Sequence, residues 1–300
     1  MQKTLQILLF WCIMEEKGGI GLKIRLFFQK CEDVEISHNL TPETNGECFE
    51  RHCHAKYELL YILDGKGSYT VEGAEYPLLP HSLFLLRPYE YHYVRTDVGR
   101  PYDRVVIYFE TGALPAAILD HPLLTASDGN YFALSSVANP VRAAFEALLG
   151  GIETLSKDGA RSAPASEALL RASLTQILLL LTQETPTSAA NKEASTVRRV
   201  IDYLNMHLED ELSLDLLTKE FYISKYHLCR VFREQTGVTL FAYYNTKRMM
   251  LAQKWIAEGR SASSVSARLG FRDYSTFYRA YKKHTGEAPK RSLAEKPRQN

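Results

Sequence analysis

Cysteine is scarce in this sequence. Five residues in 300, Cys12, Cys31, Cys48, Cys53 and Cys229, form an odd set with no C-x-x-C spacing. That excludes a disulfide framework and a zinc ribbon, and it fits a reducing compartment, the cytoplasm. Membrane-length apolar runs are missing as well. The segment that invites such a reading, "QILLFWCIM" after Lys3, falls far short of the ~20 residues a spanning helix needs and lacks a small-residue cleavage site. Residues 1–22 read as an extension, disordered or preceding a true start at Met14. An extra strand and a membrane tether are the other readings of that segment, and no membrane partner is expected. No glycine-rich phosphate cradle, dinucleotide fingerprint or Ser/His/Asp arrangement is present, which leaves out nucleotide-dependent and serine-hydrolase chemistry.

Net charge is also nearly absent, at +1, but the balance hides an asymmetry. Residues 1–195 carry 17 Lys+Arg against 24 Asp+Glu, while residues 196–300 carry 19 against 11. Only the C-terminal part suits a polyanion. A length of 300 residues with 45% hydrophobic and 24% charged content is that of an ordinary globular chain of two domains.

From about residue 23 to 139, short runs such as "KYELLYIL", "GSYTV", "SLFLLRP" and "DRVVIYF", broken by Gly or Pro, predict an all-β barrel or sandwich. Residues 140–184 turn helical, and Leu170, Leu174, Ile177, Leu178 and Leu181 fall on one stripe. That stripe is more apolar than one side of a small barrel requires, so it is expected to pair two subunits into a homodimer. Residues 185–195, "TPTSAANKEAS", have linker composition. Residues 196–293 are helical throughout, and the fold class is α+β.

Two stretches 49 positions apart repeat one another: "YISKYHLCRVFREQTGVTL" and "GFRDYSTFYRAYKKHTGEAP". Ser224 and Asp273 are N-caps, apolar residues follow at i, i+4 and i+8, and each run stops at a glycine, Gly237 or Gly286. A short amphipathic segment precedes each, which makes helix, turn, helix, twice. These residues, with Lys247 or Arg248, Leu251-Ala252, Val265, Gly270-Phe271, Phe277, Arg279, Tyr281-Lys282-Lys283, Gly286 and Pro289, resemble the AraC/XylS-type transcriptional regulators over about Thr196 to Leu293. The resemblance implies seven helices, double-stranded DNA as a partner and, for an activator, RNA polymerase.

A recognition helix presents its N-terminal residues to base edges in the major groove. Off the apolar stripe of the first such helix stand Lys225, Tyr226, Cys229, Arg230 and Arg233, and the resemblance implies Tyr226, Cys229 and Arg230 as groove contacts. In the second, Tyr274, Ser275, Thr276, Tyr278 and Arg279 face outward. Arg230 and Arg279 suit guanine, whereas Lys225, Arg233, Lys282 and Lys283 suit phosphates; for each, a solvated charge on an ordinary helix is the alternative.

The N-terminal half holds "GECFERHCHAKYELLYILDG", in which His52-x-His54 precedes Glu58 by the spacing of the first cupin motif. Alternation along a strand would put His52, His54 and Glu58 on one face, and with His92 they can hold a divalent metal. The second cupin motif is degraded: "LLRPYEYHYV" keeps Pro88 and His92 but lacks the glycine and the asparagine. In the resembling regulators such barrels bind a small effector without a required cofactor, and in this chain a sugar or related metabolite is expected. The pocket would then be lined by His52, His54, Glu58, Tyr69 and His92. His81 and His121 read as turn residues. A rival reading is a cupin metalloenzyme, an isomerase or dioxygenase, fused to a DNA-binding module.

Overall fold

The computed structural model describes residues 15–18, 21–46, 51–125, 129–156, 163–187 and 196–289. The chain divides into two compact units, Met1–Lys192 and Glu193–Asn300. Among the described residues no helix is long and apolar enough to cross a membrane, and Cys31 and Cys229 are free thiols.

The first unit is built on two antiparallel sheets. Its strands are β1 (Glu15–Gly18), β2 (Gly21–Lys30), β3 (Val34–Thr41), β4 (Tyr57–Asp64), β5 (Gly67–Val71), β6 (Ala74–Leu78), β7 (Ser82–Leu86), β8 (His92–Thr96), β9 (Tyr102–Phe109) and β10 (Tyr131–Ala133). The large sheet runs β1-β2-β3-β9-β4-β7-β10 and the small one β6-β5-β8. Two one-turn helices, α1 (Ala116–Leu119) and α2 (Pro122–Thr125), precede β10, and two long ones, α3 (Pro140–Ser156) and α4 (Ala163–Leu181), follow it.

Strand alternation divides the large sheet into two faces. Leu59 and Tyr61 of β4, Leu83 and Leu85 of β7, and Val105 and Ile107 of β9 pack with α3 and α4. Leu60 and Ile62, Phe84 and Leu86, and Val106 turn the other way, toward the small sheet. This explains why "LLYI" and "SLFLL" are continuous apolar runs: both faces are covered, so the usual polar alternation has nothing to meet.

The helical stripe was misread. Leu170, Leu174, Ile177, Leu178 and Leu181 are each 0% exposed within their own unit and belong to one core with the sheet and α3. They are not available to pair subunits. Periodicity shows that a face is covered but not by what, and here the cover is the chain's own sheet. Close approach of α3 and α4 needs Gly151, where a Cβ would meet Leu169 Cδ2 at 2.7 Å.

The N-terminal extension also departs from expectation in its described part. Residues 15–18 form β1, paired with β2 from Glu15 against Ile24 to Gly18 against Gly21, so strand replaces disorder there; residues 1–14 lie outside the described residues. Part of the expected linker is tied down too, with Thr187 N–H donating to Tyr131 O at 2.8 Å. Residues 188–195 are not described.

The second unit holds six described helices: α5 (Thr196–Met206), α6 (Leu214–Phe221), α7 (Lys225–Thr236), α8 (Leu240–Ala257), α9 (Ala262–Arg268) and α10 (Tyr274–Thr285). The expected closing segment after Pro289 lies outside the described residues. Five of these helices open on a side-chain cap, from Ser213, Ser224, Thr239, Ser261 and Asp273, each accepting a backbone N–H three residues on. Such caps contribute about 1 kcal/mol apiece. α7 and α10 stop at Gly237 and Gly286, both left-handed at φ 82° and 78°, a conformation glycine adopts without a Cβ penalty.

Burying the stripe against the large sheet and α3 has a measurable consequence. Leu174→Ala should cost about 2–5 kcal/mol in the barrel's urea transition, with the oligomeric state in size-exclusion chromatography unchanged. A loss below about 1 kcal/mol together with an altered oligomer would return the stripe to subunit pairing.

Candidate functional site

Two places bring together the side chains that the sequence singles out, one in each unit. In the first, a cavity of about 300 Å³ lies between the large and small sheets, lined among others by His52, Glu58, Tyr69 and His92. His54 is not a lining residue; it backs the cavity wall by bonding Glu58.

The route by which these groups converge differs from the expected one. Only Glu58 and His92 stand on strands, in β4 and β8. His52 sits in an isolated bridge to His92, its N–H to His92 O at 3.2 Å and the reverse bond at 2.9 Å. His54 lies in the turn before β4. Backbone pairing across the cavity, rather than alternation along one strand, gathers the imidazoles, with ring centroids of His52 and His92 4.4 Å apart.

The proton positions follow from the partners. His54 Nδ1 lies 2.9 Å from Lys56 O and His92 Nδ1 lies 2.7 Å from Glu90 O. A carbonyl only accepts, so both Nδ1 atoms carry hydrogen, and on His92, which burial keeps neutral, Nε2 is left with a lone pair. His92 Nε2 then accepts from His52 Nε2 at 3.2 Å. His54 Nε2 lies 2.8 Å from Glu58 Oε2, and since an ionised carboxylate only accepts, a proton or a cation stands between them. Nε2 atoms oriented by Nδ1–H bonds to the backbone are how metal-ligating histidines are held. Ligand atoms of His52, His54 and His92 lie within 4.8 Å of one another, and Glu58 Oε2 is 3.6 Å from His92 Nε2, so the donor set fits a divalent ion.

Electrostatics agree with this arrangement. Burial lowers the His92 pKa to about 4, against the opposing pull of Glu58. Burial pushes the Glu58 carboxyl up, but the His54 hydrogen bond and the neighbouring imidazoles more than offset it, and the net shift is downward. Tyr69 and Tyr108 are raised, chiefly by burial and then by Glu58, so both keep their hydroxyl protons. His81 and His121 are indeed turn residues: His81 is left-handed at φ 62°, and His121 Nδ1 accepts from Leu123 N at 3.1 Å.

The cavity contains a group that sequence reading missed. Arg25 pairs with Asn39 across β2 and β3, and Asn39 pairs with Arg104 across β3 and β9. Directly opposed residues share a face, so the three form a row, and all three line the cavity. The only signal was the two-residue period of Arg104, Val106 and Tyr108 in "DRVVIYF", which cannot say that Arg25 lies in the same row.

In the second unit α7 and α10 bury one stripe each, Leu228, Phe232 and Thr236 in α7 and Phe277 and Tyr281 in α10. Lys225, Tyr226, Arg230 and Arg233 are exposed and Cys229 is half-buried; Tyr274, Ser275, Thr276, Arg279, Lys282 and Lys283 are exposed and Tyr278 is half-buried. Lys225 pairs with Asp215 at 2.7 Å and Arg230 with Glu234 at 3.1 Å. Both α7 and α10 pack on α8, whose 18 residues give about 27 Å at ~1.5 Å per residue. Lys247 and Arg248 are nearly buried in α8. The Arg248 guanidinium lies over the rings of Tyr244 and Phe271, at 5.2 and 4.5 Å, which makes it a packing group of α8.

Comparison with known proteins divides the chain at the same place. A model described as AraC-like ligand binding domain matches residues 41–178, and one described as helix-turn-helix domain matches residues 217–294. Similar along most of its length is the HTH-type transcriptional activator RhaS of Escherichia coli O139:H28, 25% identical over 251 residues, which are 81% of this chain and 86% of that protein. The RhaS protein of Shigella flexneri serotype 5b is 24% identical over 273 residues, 88% of this chain and 93% of the relative. Among solved structures, that of ToxT from Vibrio cholerae O395 covers 86% of this chain and 95% of its own, with 12% identity and a TM-score of 0.35.

The buried imidazole sets a pH dependence. Because the fold holds His92 at about 4 against an ordinary value near 6.5, the unfolded chain takes up the proton first as pH falls. The barrel's stability should therefore be full above about pH 6.5 and decline toward pH 4, by at most ~3 kcal/mol from this group. Glu58, whose pKa is lowered, adds a loss of the same sign at the acid end. Urea denaturation with chelator between pH 7.5 and 4.5 reads this slope, and His92→Gln should flatten it; an equal slope in the variant would assign it to other groups.

Proposed function

We propose that this chain, which belongs to the AraC-type transcriptional regulators with an N-terminal ligand-binding domain, binds a sugar or related metabolite in the barrel and reads DNA through α7 and α10. The chain is a transcription regulator rather than an enzyme. The observation that carries the DNA reading is the duplicated recognition helix. α7 and α10 are capped alike by Ser224 and Asp273, stop alike at glycine, and turn their cationic faces to solvent.

In this reading Tyr226, Cys229 and Arg230 of α7, and Tyr274, Ser275, Thr276, Tyr278 and Arg279 of α10, meet base edges. Lys225, Arg233, Lys282 and Lys283 hold phosphates. The roughly 27 Å span of α8 is comparable with the ~34 Å between successive major grooves on one face of DNA, so one subunit suffices for an asymmetric site of two turns. Activation is the role named for the relatives; an activator of this kind would work with RNA polymerase, and a DNA target goes with a cytoplasmic location. A homodimer would have to use a surface other than the buried leucine stripe.

His52, Glu58, Tyr69 and His92 would present acceptors and hydroxyl donors to a hydroxylated effector, with His54 holding Glu58 in place. No metal is required for that role. The four-donor cluster would hold a divalent ion through His52, His54, His92 and Glu58, where it would bind ligand hydroxyls as a Lewis acid; elemental analysis of the purified protein reads this directly.

On operator DNA, Arg230→Ala and Arg279→Ala should each lose about 1–3 kcal/mol for the cognate site and much less on random sequence. Lys282→Ala should weaken all sequences alike and make the salt dependence shallower by about one counterion. Equal losses on random DNA would make the two arginines phosphate contacts, and an unchanged salt slope would take Lys282 out of the interface.

The sensing half makes its own claim. A ligand shifts an equilibrium only through unequal affinity for two states. Removing a pocket group by His92→Ala should therefore abolish the transcriptional response to ligand while leaving ligand-free operator affinity at the parental value. A normal response in that variant would show that His92 is no part of the sensor.

A further inference from the structure

We propose that the barrel's ligand is a hydroxylated carboxylate, a sugar acid, whose carboxylate meets Arg25 and Arg104 and whose hydroxyls meet Glu58, His52 and His92. The inference rests on the reading of the cavity as an effector pocket and specifies its ligand class.

The argument starts from unmet bonding capacity in the Arg25, Asn39 and Arg104 row. Arg25 Nε is buried without a hydrogen-bond partner, and so is Asn39 Oδ1. Asn39 is only 4% exposed, and its Nδ2 is used in a bond to Ser37 Oγ at 2.9 Å. No ion pair involves Arg25 among the described residues. Arg104 is 5% exposed, and its Nη1 donates to neutral oxygens, Tyr102 O at 2.9 Å, Thr41 Oγ1 at 3.1 Å and Asn39 O at 3.4 Å. The two carboxylates that line the cavity are engaged elsewhere: Glu58 with His54 and His92, and Glu35 with Lys30 at 3.7 Å. At this end of the cavity the Arg104 guanidinium is desolvated by burial, and half-buried Arg25 beside it has an unpartnered Nε and no ion pair among the described residues, an arrangement that a bound anion would satisfy.

The remaining orphan narrows the class. Asn39 Oδ1 accepts, and a carboxylate cannot give it a hydrogen. A hydroxyl beside the carboxylate can, so one ligand end offering both groups satisfies Arg25 Nε and Asn39 Oδ1 together. At the opposite end, four residues along β4 and β9 from the pair Ile62 and Arg104, Glu58 accepts from hydroxyls beside the His52 and His92 imidazoles. Four residues of strand are about 13 Å between Cα positions, a gap shortened by the long side chains at both ends. The cavity of about 300 Å³ is the size of pocket that encloses a single small metabolite. A neutral sugar would serve the Glu58 end alone and leave the guanidinium end desolvated.

Calorimetric titration and thermal melting of the full chain with D-gluconate, D-galactonate, D-glucuronate and D-galacturonate, against D-glucose, D-galactose and D-glucose 6-phosphate, test the inference. At least one acid should bind about tenfold or more tightly than the neutral sugar of its own skeleton and raise the Tm by mass action. Arg25→Gln should erase that preference while leaving the ligand-free Tm close to the parental value, since Arg25 is half-buried and makes no ion pair among the described residues. Neutral sugars binding as tightly as the acids would overturn the inference and leave the sugar-sensor reading standing. Binding of the phosphate ester but of no carboxylate would overturn the carboxylate class. Silence of the whole panel would overturn the sensor reading, and the inference with it. A full acid preference in Arg25→Gln would remove the arginine row from recognition.

Discussion

A carboxylate and a guanidinium are buried in the same sheet, Glu58 at 4% and Arg104 at 5% exposure, and the barrel is organised around tolerating them. An isolated charge in an apolar interior is too costly to keep. Glu58 is kept ionised by the His54 bond and by the imidazoles around it. Arg104 is kept by three neutral acceptors and by the Tyr102 ring 4.2 Å away. The apolar half of the work is done on the opposite face of the sheet, where α3 and α4 supply a dry core. That separation lets one side of a strand hold a polar cavity while the other side stabilises the fold.

What could be read from sequence follows the range of the interaction concerned. The helix-turn-helix pair was legible because its determinants are local: the caps at Ser224 and Asp273, the stops at Gly237 and Gly286, and the stripes between them. The residues of the His-x-His and Glu58 pattern do meet at one cavity, yet by another route than strand alternation, because the bridge from His52 to His92 is a pairing across 40 residues. The Arg25, Asn39 and Arg104 row was not legible at all. It depends on two strand registers and on a bulge between Arg25 and Phe27 in β2, and a slip of one residue would have turned these side chains to the other face. The leucine stripe of α4 failed for a related reason, since amphipathicity is equally satisfied by a sheet or by a second subunit.

The two recognition helices are not electrostatic equivalents, although they share a pattern. On α7, Lys225 is held by Asp215 and Arg230 by Glu234. On α10, no ion pair involves the phosphate-side Lys282 or Lys283 among the described residues, while Arg279 stands in the field of the acidic cap Asp273. Free cations at the second helix release counterions on approach to any phosphate backbone, and so supply attraction with little regard to sequence. If Arg230 reads a base, as proposed, it exchanges Glu234 for a base edge. A matching guanine repays that exchange with two bonds, and a mismatched base leaves an acid and a base both short of partners. Within the proposed reading, then, α10 carries more of the affinity and α7 more of the discrimination. The difference arises from acidic residues placed beside α7, not from the basic residues the two helices have in common.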